Sequence, residues 1–371
     1  MKLAVITGEA SGDLHASEVV RHLRELDPEL RAFGFGGDRL RAQGVELLHD
    51  IRELGIVGLF NVIRHIPMFK RVFREIVERI EAERPDAVLL VDYPDFNLRL
   101  AKACRARGLK IAYYISPQLW AWRKGRIHEI RKNIDEMIVV FPFEEKLYRD
   151  HGVSVTYVGH PLLEQLENVR RLDRPAPRPG ELLRVALLPG SRRHEIDTLL
   201  PSMLDAVEVL GASRPVEAFV VQAPTIDRSH LEKFVASSNV PVAIRSGLDR
   251  RAIVDADVAI CASGTATLET GIIGVPMVVV YKLTALSYAL ARRLVKLPNF
   301  ALVNIVAGER IVPELLQDEV CGPEIAAAVS ALCEPETHAA TRLRLSALRE
   351  KLGGAGASRR AAEKIVTLMR R

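Results

Sequence analysis

Ala87-Val-Leu-Leu-Val-Asp-Tyr-Pro-Asp-Phe-Asn97 shows how this chain is built: five apolar residues end abruptly at a polar turn. A short, continuous apolar run bounded by such a turn is typical of a strand buried on both faces of a parallel sheet. Either aspartate of the turn could cap a helix. The stretch therefore predicts a strand that passes directly into a helix, which is the repeating unit of α/β folds.

The same alternation of apolar runs and amphipathic stretches continues along the whole chain. The predicted strands are 3–7, 32–35, 87–91, 111–115, 136–140 and 156–158, and then 184–188, 217–222, 242–244, 258–261 and 277–280. We therefore expect two doubly wound, Rossmann-like α/β domains. Ligands of such sheets bind beyond the carboxyl ends of the strands, so two domains that face each other would line a cleft with their loops.

The domain boundaries follow from composition. Residues 1–167 form the predicted first domain, and residues 168–183 form a linker whose three prolines and many charges suit neither helix nor strand. Residues 184–350 form the predicted second domain. We expect residues 351–371 to form a helix that packs on the first domain or on a partner chain, which leaves a homodimer possible.

Composition narrows the classes of partner. The 371 residues carry a net charge of +5, which suits nucleic acid, an anionic membrane or a phosphorylated substrate. Aromatic residues make up only 5%, and no nucleic-acid-binding fingerprint occurs, so nucleic acid ranks last. The four cysteines are scattered and no apolar run could span a bilayer, so we expect a cytoplasmic protein in a reducing compartment.

Two turns of small residues resemble binding sites for a nucleoside diphosphate. Leu188-Pro-Gly-Ser-Arg192 and Ala262-Ser-Gly-Thr-Ala-Thr-Leu-Glu269 each follow a predicted strand and open a predicted helix. Free main-chain amides and the helix dipole attract anions there, and an arginine adds a charged fork for phosphate. A carboxylate one turn into the helix could accept hydrogen bonds from ribose. The predicted contacts are Gly190, Ser191, Arg192, Ser263, Gly264, Thr265 and Glu269.

The aspartates after residue 91 are the candidate acid-base groups. Asp95 is the first choice for a base that takes a proton from an attacking hydroxyl, and Asp92 is the alternate. The Asp-x-Asp formed by Asp255 and Asp257 precedes a predicted strand, which places it at the end away from the ligand. We therefore assign it no metal and expect no metal or cofactor.

Two further loops are candidates for the acceptor side. Residues 8–13 lack the spacing of a phosphate-binding loop, so Ser11 and Asp13 are predicted either to contact a polar acceptor or to cap a helix. Trp120 and Trp122 share one proline-containing loop after a predicted strand. Indole rings stack on sugars and border acyl chains, so we expect them to line the cleft.

An apolar run, residues 54–60, is flanked by basic residues and is harder to bury than the ordinary core stripe of the helix after it. We expect Ile56, Val57 and Phe60 to dip into an anionic membrane leaflet.

The ordered set of motifs resembles the lipid-A-disaccharide synthase family over nearly the whole chain. The motifs are Gly8-Glu-Ala-Ser-Gly-Asp13, Pro94-Asp-Phe-Asn97, Ser116-Pro-Gln-x-Trp-Ala-Trp122, Val158-Gly-His-Pro161, and the two turns of small residues. The resemblance implies a GT-B glycosyltransferase on the cytoplasmic face of the inner membrane. Such enzymes join UDP-2,3-diacylglucosamine to 2,3-diacylglucosamine 1-phosphate (lipid X), with inversion, and release UDP.

Carried over by motif, the resemblance makes Asp95 the base and places Arg192, Ser263, Thr265 and Glu269 in the UDP pocket. It adds Asn304 on the nucleotide side, and it places Asn97 and His160 with the acceptor. The chain departs from the family pattern at Tyr93, where a small residue is usual, and at Leu119, where valine is usual. These departures concern acyl or acceptor contacts and leave the proposed chemistry unchanged.

Two other functions share these features. A UDP-sugar 2-epimerase would have the same architecture and would need no lipid acceptor, so product analysis separates it. A non-catalytic protein that binds nucleotide and lipid would bind UDP without releasing it from a donor.

Overall fold

The computed structural model describes residues 1–52, 62–120, 125–169, 175–247, 251–283, 288 and 298–371. The chain divides into two compact units. The first unit comprises Met1–Glu164 together with Gly353–Arg371, and the second comprises Gln165–Leu352.

The first unit is built on a parallel sheet. Its described strands are β1 (Lys2–Thr7), β2 (Arg31–Gly36), β3 (Glu46–Asp50), β4 (Ala87–Val91), β5 (Ile111–Tyr114), β6 (Glu136–Val139) and β7 (Val155–Tyr157), in the order β3-β2-β1-β4-β5-β6-β7. The side chains of β4 are buried throughout, as the continuous apolar run predicts. The order reverses between β1 and β4, which is where a doubly wound sheet opens to a ligand.

Helices cover both faces of this sheet. The described helices are α1 (Ala10–Leu26), α2 (Asp38–Ala42), α3 (Val62–Glu83), α4 (Pro94–Arg105), α5 (Arg126–Asn133), α6 (Pro142–Asp150) and α7 (Leu162–Gln165). Buried side chains of α3, α4, α5 and α6 share one apolar cluster with the strands. The terminal helix of the chain packs against α1 and against β4 and β5.

The second unit is a separate parallel sheet. Its described strands are β8 (Leu183–Leu188), β9 (Val216–Gln222), β10 (Val242–Ser246), β11 (Val258–Ala262), β12 (Met277–Tyr281) and β13 (Glu314–Leu316), in the order β10-β9-β8-β11-β12-β13. The remaining described helices are α8 (Arg193–Gly211), α9 (Arg228–Val235), α10 (Arg251–Val254), α11 (Thr265–Ile273), α12 (Leu302–Ala307), α13 (Gly322–Cys333), α14 (Pro335–Ser346), α15 (Leu348–Lys351) and α16 (Ala357–Arg370).

The two parallel sheets confirm the predicted α/β architecture, and all predicted strands are present with small shifts at their ends. The sequence did not reveal the edge strands β3 and β13. Both are short and carry glutamate, and β3 is only partly buried, so neither shows the apolar run that marks a central strand. Of the two places considered for the terminal helix, the structure shows α16 on the first unit.

Candidate functional site

The carboxyl edge of the first sheet carries two turns with strained backbone. Asp92 and Tyr93 follow β4 and each has φ of +49°, and Ile115, directly after β5, has φ of +61°. Left-handed backbone is uncommon outside glycine, and it is an outlier for a β-branched residue. Because β4 and β5 are paired, the two turns lie side by side. Strain of this kind persists only where surrounding contacts enforce it, and it clusters at functional sites.

Buried polar groups hold the Asp92 turn in place. The Asn97 amide donates to the main-chain oxygens of Val91 (3.2 Å) and Asp92 (2.7 Å), and the Tyr113 hydroxyl donates to that of Asp92 (2.6 Å). Asn97 is fully buried. The Asn97 side chain therefore fixes the end of β4, and its contact with the acceptor stays a prediction.

Tyr93 ties this turn to the loop after β1. A Cβ placed on Gly8 would lie only 2.3 Å from the Tyr93 ring, so only glycine allows the ring to pack so closely on the backbone. The larger residue at position 93, noted as a departure from the family pattern, thus packs against the first motif of the chain.

The two candidate carboxylates lie in different environments. Asp95, in the first turn of α4, has a side chain that is 68% exposed and forms an ion pair with Arg126 at the start of α5. Asp92 is half-buried. Burial, and secondarily the nearby Glu9 carboxylate, raise the pKa of Asp92 to about 6. Asp95 is therefore more accessible to a substrate hydroxyl than the half-buried Asp92.

The loop after β1 contributes less than the sequence predicted. The Asp13 carboxylate is buried and accepts from the main-chain amides of Gly37 (2.7 Å), Arg39 (3.0 Å) and Leu40 (3.3 Å). Asp13 therefore caps α2, which is one of the two roles that the sequence left open for it. Ser11 is exposed in the first turn of α1 and keeps its place as a candidate contact.

A row of aromatic rings borders the same sheet edge. Trp120 meets Phe143 edge to face (5.5 Å between centroids), Phe143 stacks on Phe141 (5.4 Å), and Phe141 contacts His160 (5.1 Å). His160 is 6% exposed, and its Nδ1 accepts from the Leu162 amide (3.2 Å). Burial, with a smaller contribution from His15, lowers the pKa of His160 to about 3, so the imidazole is neutral at physiological pH. Trp122, and likewise Ile56, Val57 and Phe60, lie outside the described residues.

One buried carboxyl group escaped sequence reasoning. Glu144 in α6 accepts from the Ser116 hydroxyl (2.6 Å) and from the Phe141 amide (3.2 Å), and it is almost completely buried. Burial raises the pKa of Glu144 to about 7. Glu144 lies in the first turn of α6, five residues after the end of β6, and nothing adjacent in the sequence marks it as a site residue. The residue joins the Ser116 loop to the aromatic row.

In the second unit, the first turn of small residues already holds a carboxylate. The Glu195 side chain accepts from the main-chain amides of Ser191 (3.0 Å) and Arg192 (3.2 Å), and the Arg192 guanidinium donates to its other oxygen (3.0 Å). Gly190 has φ of +115°, and a Cβ there would lie 2.3 Å from the same carboxylate. An anion thus occupies the amides that the sequence assigns to phosphate, and that anion comes from the protein's own helix α8.

The second turn leaves the start of its helix without a side-chain cap. Gly264, with φ of +155°, is the N-cap of α11, and no side chain caps this helix. The hydroxyl of Ser263, a predicted nucleotide contact, donates to the main-chain oxygen of Phe300 (3.2 Å). Thr265 is exposed at the first position of the helix, and Glu269 is half-buried one turn later. The uncapped amides at the start of α11 suit an anion.

Asn304, which is predicted to lie on the nucleotide side, makes its hydrogen bonds within the second unit. It is fully buried, its amide donates to Val312 (2.9 Å) and to the Glu314 carboxylate (2.8 Å), and its oxygen accepts from the amides of Ile311 and Val312 (2.9 and 3.1 Å). Glu314 in turn accepts from the amides of Phe300 and Ala301, each at 3.0 Å. Since Ser263 is bonded to Phe300, Asn304 is linked to Ser263 through Glu314 and Phe300.

Tyr281, at the end of β12, was missed by sequence reasoning. Its ring lies 5.9 Å from that of Phe300. Burial, and next the negative charge of Glu195, raise the pKa of Tyr281. Tyr281 is thus related to both turns of small residues: Glu195 is bonded to the first turn, and Phe300 is bonded to Ser263 of the second turn.

Asp257 lies at the amino end of β11, as predicted, where its carboxylate accepts from the Arg184 amide (2.9 Å). Within the part of the chain that the structure describes, no three or more His, Cys, Asp and Glu residues are grouped as metal ligands would be. No helix among the described residues is long and apolar enough to cross a bilayer.

Comparison with known proteins points to one family. The model of the lipid-A-disaccharide synthetase family matches residues 3–367. The chain is 42% identical over 373 residues to a lipid-A-disaccharide synthase of Myxococcus xanthus, covering 99% of this chain and 97% of the relative. It is 43% identical over 385 residues to one of Anaeromyxobacter dehalogenans, covering 100% and 98%.

Solved structures share the fold at low identity. A UDP-GlcNAc 2-epimerase from Neisseria meningitidis superposes with a TM-score of 0.63 at 12% identity and full coverage of both chains. A calicheamicin glycosyltransferase gives 0.61 at 15% identity, covering 100% of this chain and 98% of that one. These likenesses show the GT-B architecture alone and do not separate transferase from epimerase.

Proposed function

This chain belongs to the lipid-A-disaccharide synthetase family and is a glycosyltransferase that forms the lipid A disaccharide, and we propose that its donor is UDP-2,3-diacylglucosamine and its acceptor 2,3-diacylglucosamine 1-phosphate. The single observation that carries the proposed chemistry is the exposed Asp95 carboxylate, paired with Arg126, at the edge where the doubly wound sheet opens.

In the proposed mechanism, Asp95 takes the proton from the acceptor 6-hydroxyl as that oxygen attacks the anomeric carbon of the donor. The new bond from oxygen to carbon forms while the bond from that carbon to the diphosphate breaks, and UDP leaves with the bonding electrons. A single displacement inverts the anomeric configuration. Asp95 suits this role better than Asp92, because a general base must come within hydrogen-bond reach of the substrate.

The second unit holds the leaving group in this proposal. The diphosphate displaces the Glu195 carboxylate and accepts hydrogen bonds from the main-chain amides of Ser191 and Arg192. The uncapped start of α11 at Gly264 supplies further amides. The Arg192 guanidinium and the helix dipole offset the charge that develops on UDP. We therefore propose that the reaction needs no divalent metal or other cofactor.

One assay tests this function. Purified protein is incubated with UDP-2,3-diacylglucosamine and lipid X, with and without a chelator, and the products are separated by thin-layer chromatography. We expect disaccharide 1-phosphate and UDP in equal amounts, unaffected by the chelator. Epimerised UDP-sugar formed without acceptor, or UDP-sugar binding without UDP release, would replace this proposal with an epimerase or a binding protein.

We also propose that the protein works at an anionic membrane surface, since its substrates are lipids and residues 54–60 are apolar between basic flanks. Vesicles of anionic phospholipid should bind the protein, and aspartate at Ile56, Val57 and Phe60 should release it without loss of UDP binding. Unchanged binding of the triple variant to the vesicles would remove this part of the proposal.

A further inference from the structure

An apolar cavity of about 380 Å³ opens beside the aromatic row of the first unit. It is lined by Leu119, Trp120, Ile127, Leu147 and His151. Leu119 and Ile127 are 2% and 5% exposed, Trp120 and Leu147 are half-buried, and His151 is exposed. The lining therefore runs from a closed aliphatic end to an open mouth, and the volume lies within the range of about 300–1,000 Å³ usual for ligand sites.

The cavity adjoins the candidate base through one helix. Ile127 directly follows Arg126 in the first turn of α5, and Arg126 is the ion-pair partner of Asp95. Leu119 and Trp120 belong to the loop after β5, the strand that pairs with the strand preceding Asp92. An acceptor whose hydroxyl reaches Asp95 would therefore have this cavity close by.

We propose that this cavity holds an acyl chain of the acceptor. The inference rests on the proposed function, which supplies a diacylated acceptor, and it deepens it by assigning a place to the hydrocarbon. Burial of a methylene group in an apolar site improves affinity by about fourfold, so a few buried methylenes would give the enzyme a strong preference for long chains.

The chemistry of the lining disfavours polar occupants. Among the five lining residues, the ring nitrogens of Trp120 and His151 are the only side-chain polar atoms, and His151 Nδ1 is already bonded to the main-chain oxygen of Leu147 (2.8 Å). A sugar ring or a phosphate would lose its water here without gaining enough hydrogen bonds. A hydrocarbon chain forms no hydrogen bonds with water, so it gives up none when it enters the cavity.

Two substitutions close the cavity in different ways, and a third serves as a control. Leu147→Trp fills the cavity from α6, and His151→Trp covers its mouth from an exposed position. Leu343→Trp makes the same change at a side chain that is 73% exposed in the second unit. Melting temperature and UDP affinity are measured for all three, so that an effect on folding is recognised; if Leu147→Trp does not fold, His151→Trp decides.

The readout is the KM for two acceptors that share glucosamine 1-phosphate, one with long hydroxyacyl chains and one with acetyl groups. We expect both cavity variants to raise the KM for the long-chain acceptor by about tenfold or more, with the acetyl acceptor and the Leu343→Trp control unchanged. If the wild type does not discriminate between the acceptors, or if the variants keep the wild-type preference, the assignment is wrong. Failure of the wild type to form disaccharide from either acceptor would instead remove the proposed function itself.

Discussion

Arg126 at the start of α5 forms an ion pair with Asp95 in the first turn of α4. The Arg126 side chain is mostly shielded from solvent, whereas the Asp95 side chain is 68% exposed, so a largely buried arginine anchors an exposed carboxylate. Such a pair orients the carboxylate. It also joins two helices that follow neighbouring strands of the first sheet.

Loss of the base should strongly slow turnover and leave nucleotide binding intact. We expect Asp95→Asn to lower kcat about a hundredfold or more, because the acceptor hydroxyl then has no proton acceptor, while the Kd for UDP stays within twofold of wild type. Steady-state kinetics and calorimetric titration with UDP measure the two quantities. Near-normal turnover by Asp95→Asn, together with a large loss in Asp92→Asn, would transfer the role to Asp92.

Asp92 should make the stability of the first unit depend on pH. The pKa of Asp92 in the folded state, about 6, lies above the usual value near 3.9, because folding favours the protonated carboxyl group. The free energy of unfolding is therefore highest, as far as Asp92 is concerned, below about pH 4, and it falls as the pH rises through 6. We expect Asp92→Asn to raise the melting temperature at pH 7.5 and to have little effect at pH 4. The same change at exposed Asp318 is the control; a gain at Asp92 that does not vary with pH would contradict the shift.

Glu195 should compete with the diphosphate. Its carboxylate occupies the amides of Ser191 and Arg192, so UDP must displace it in order to use them. We expect Glu195→Gln to tighten UDP binding several-fold and to cost about 1 kcal/mol of stability through the weakened helix cap. Titration calorimetry and thermal unfolding separate the two effects. An unchanged UDP affinity would show that the diphosphate binds elsewhere.

Asn304 should behave as a positioning residue rather than a ligand contact. Asn304→Ala leaves the buried amides of Ile311 and Val312 without their acceptor, so we expect a loss of at least about 2 kcal/mol in stability. The KM for UDP-sugar should rise as well, because Glu314 and Phe300 then hold Ser263 less firmly. Ser263→Ala is the comparison: it should raise KM with little loss of stability. If Asn304→Ala raises the KM at an unchanged melting temperature, Asn304 contacts the nucleotide directly and the positioning role is wrong.

Much of the site was predictable because strand ends and helix starts are local features. Both turns of small residues and both candidate carboxylates follow the ends of strands, as the apolar runs predict; the residues are Gly190, Gly264, Asp92 and Asp95. The glutamates at 144, 195 and 314 were not predictable as site residues, since nothing adjacent in the sequence marks a carboxylate that accepts from main-chain amides.

The sequence by itself determined the order of strands and helices, the two-domain α/β class and the family, because hydrophobic periodicity and turn composition are written in neighbouring residues. Only the tertiary structure decided which polar side chains remain available to a substrate. Asp13, Asn97 and Asn304 lie in motif-like positions, yet their hydrogen bonds go to groups inside the fold, chiefly the main chain. The physical reason is that a buried polar group must find a partner within the protein, and that partner is fixed by packing between segments distant in the chain.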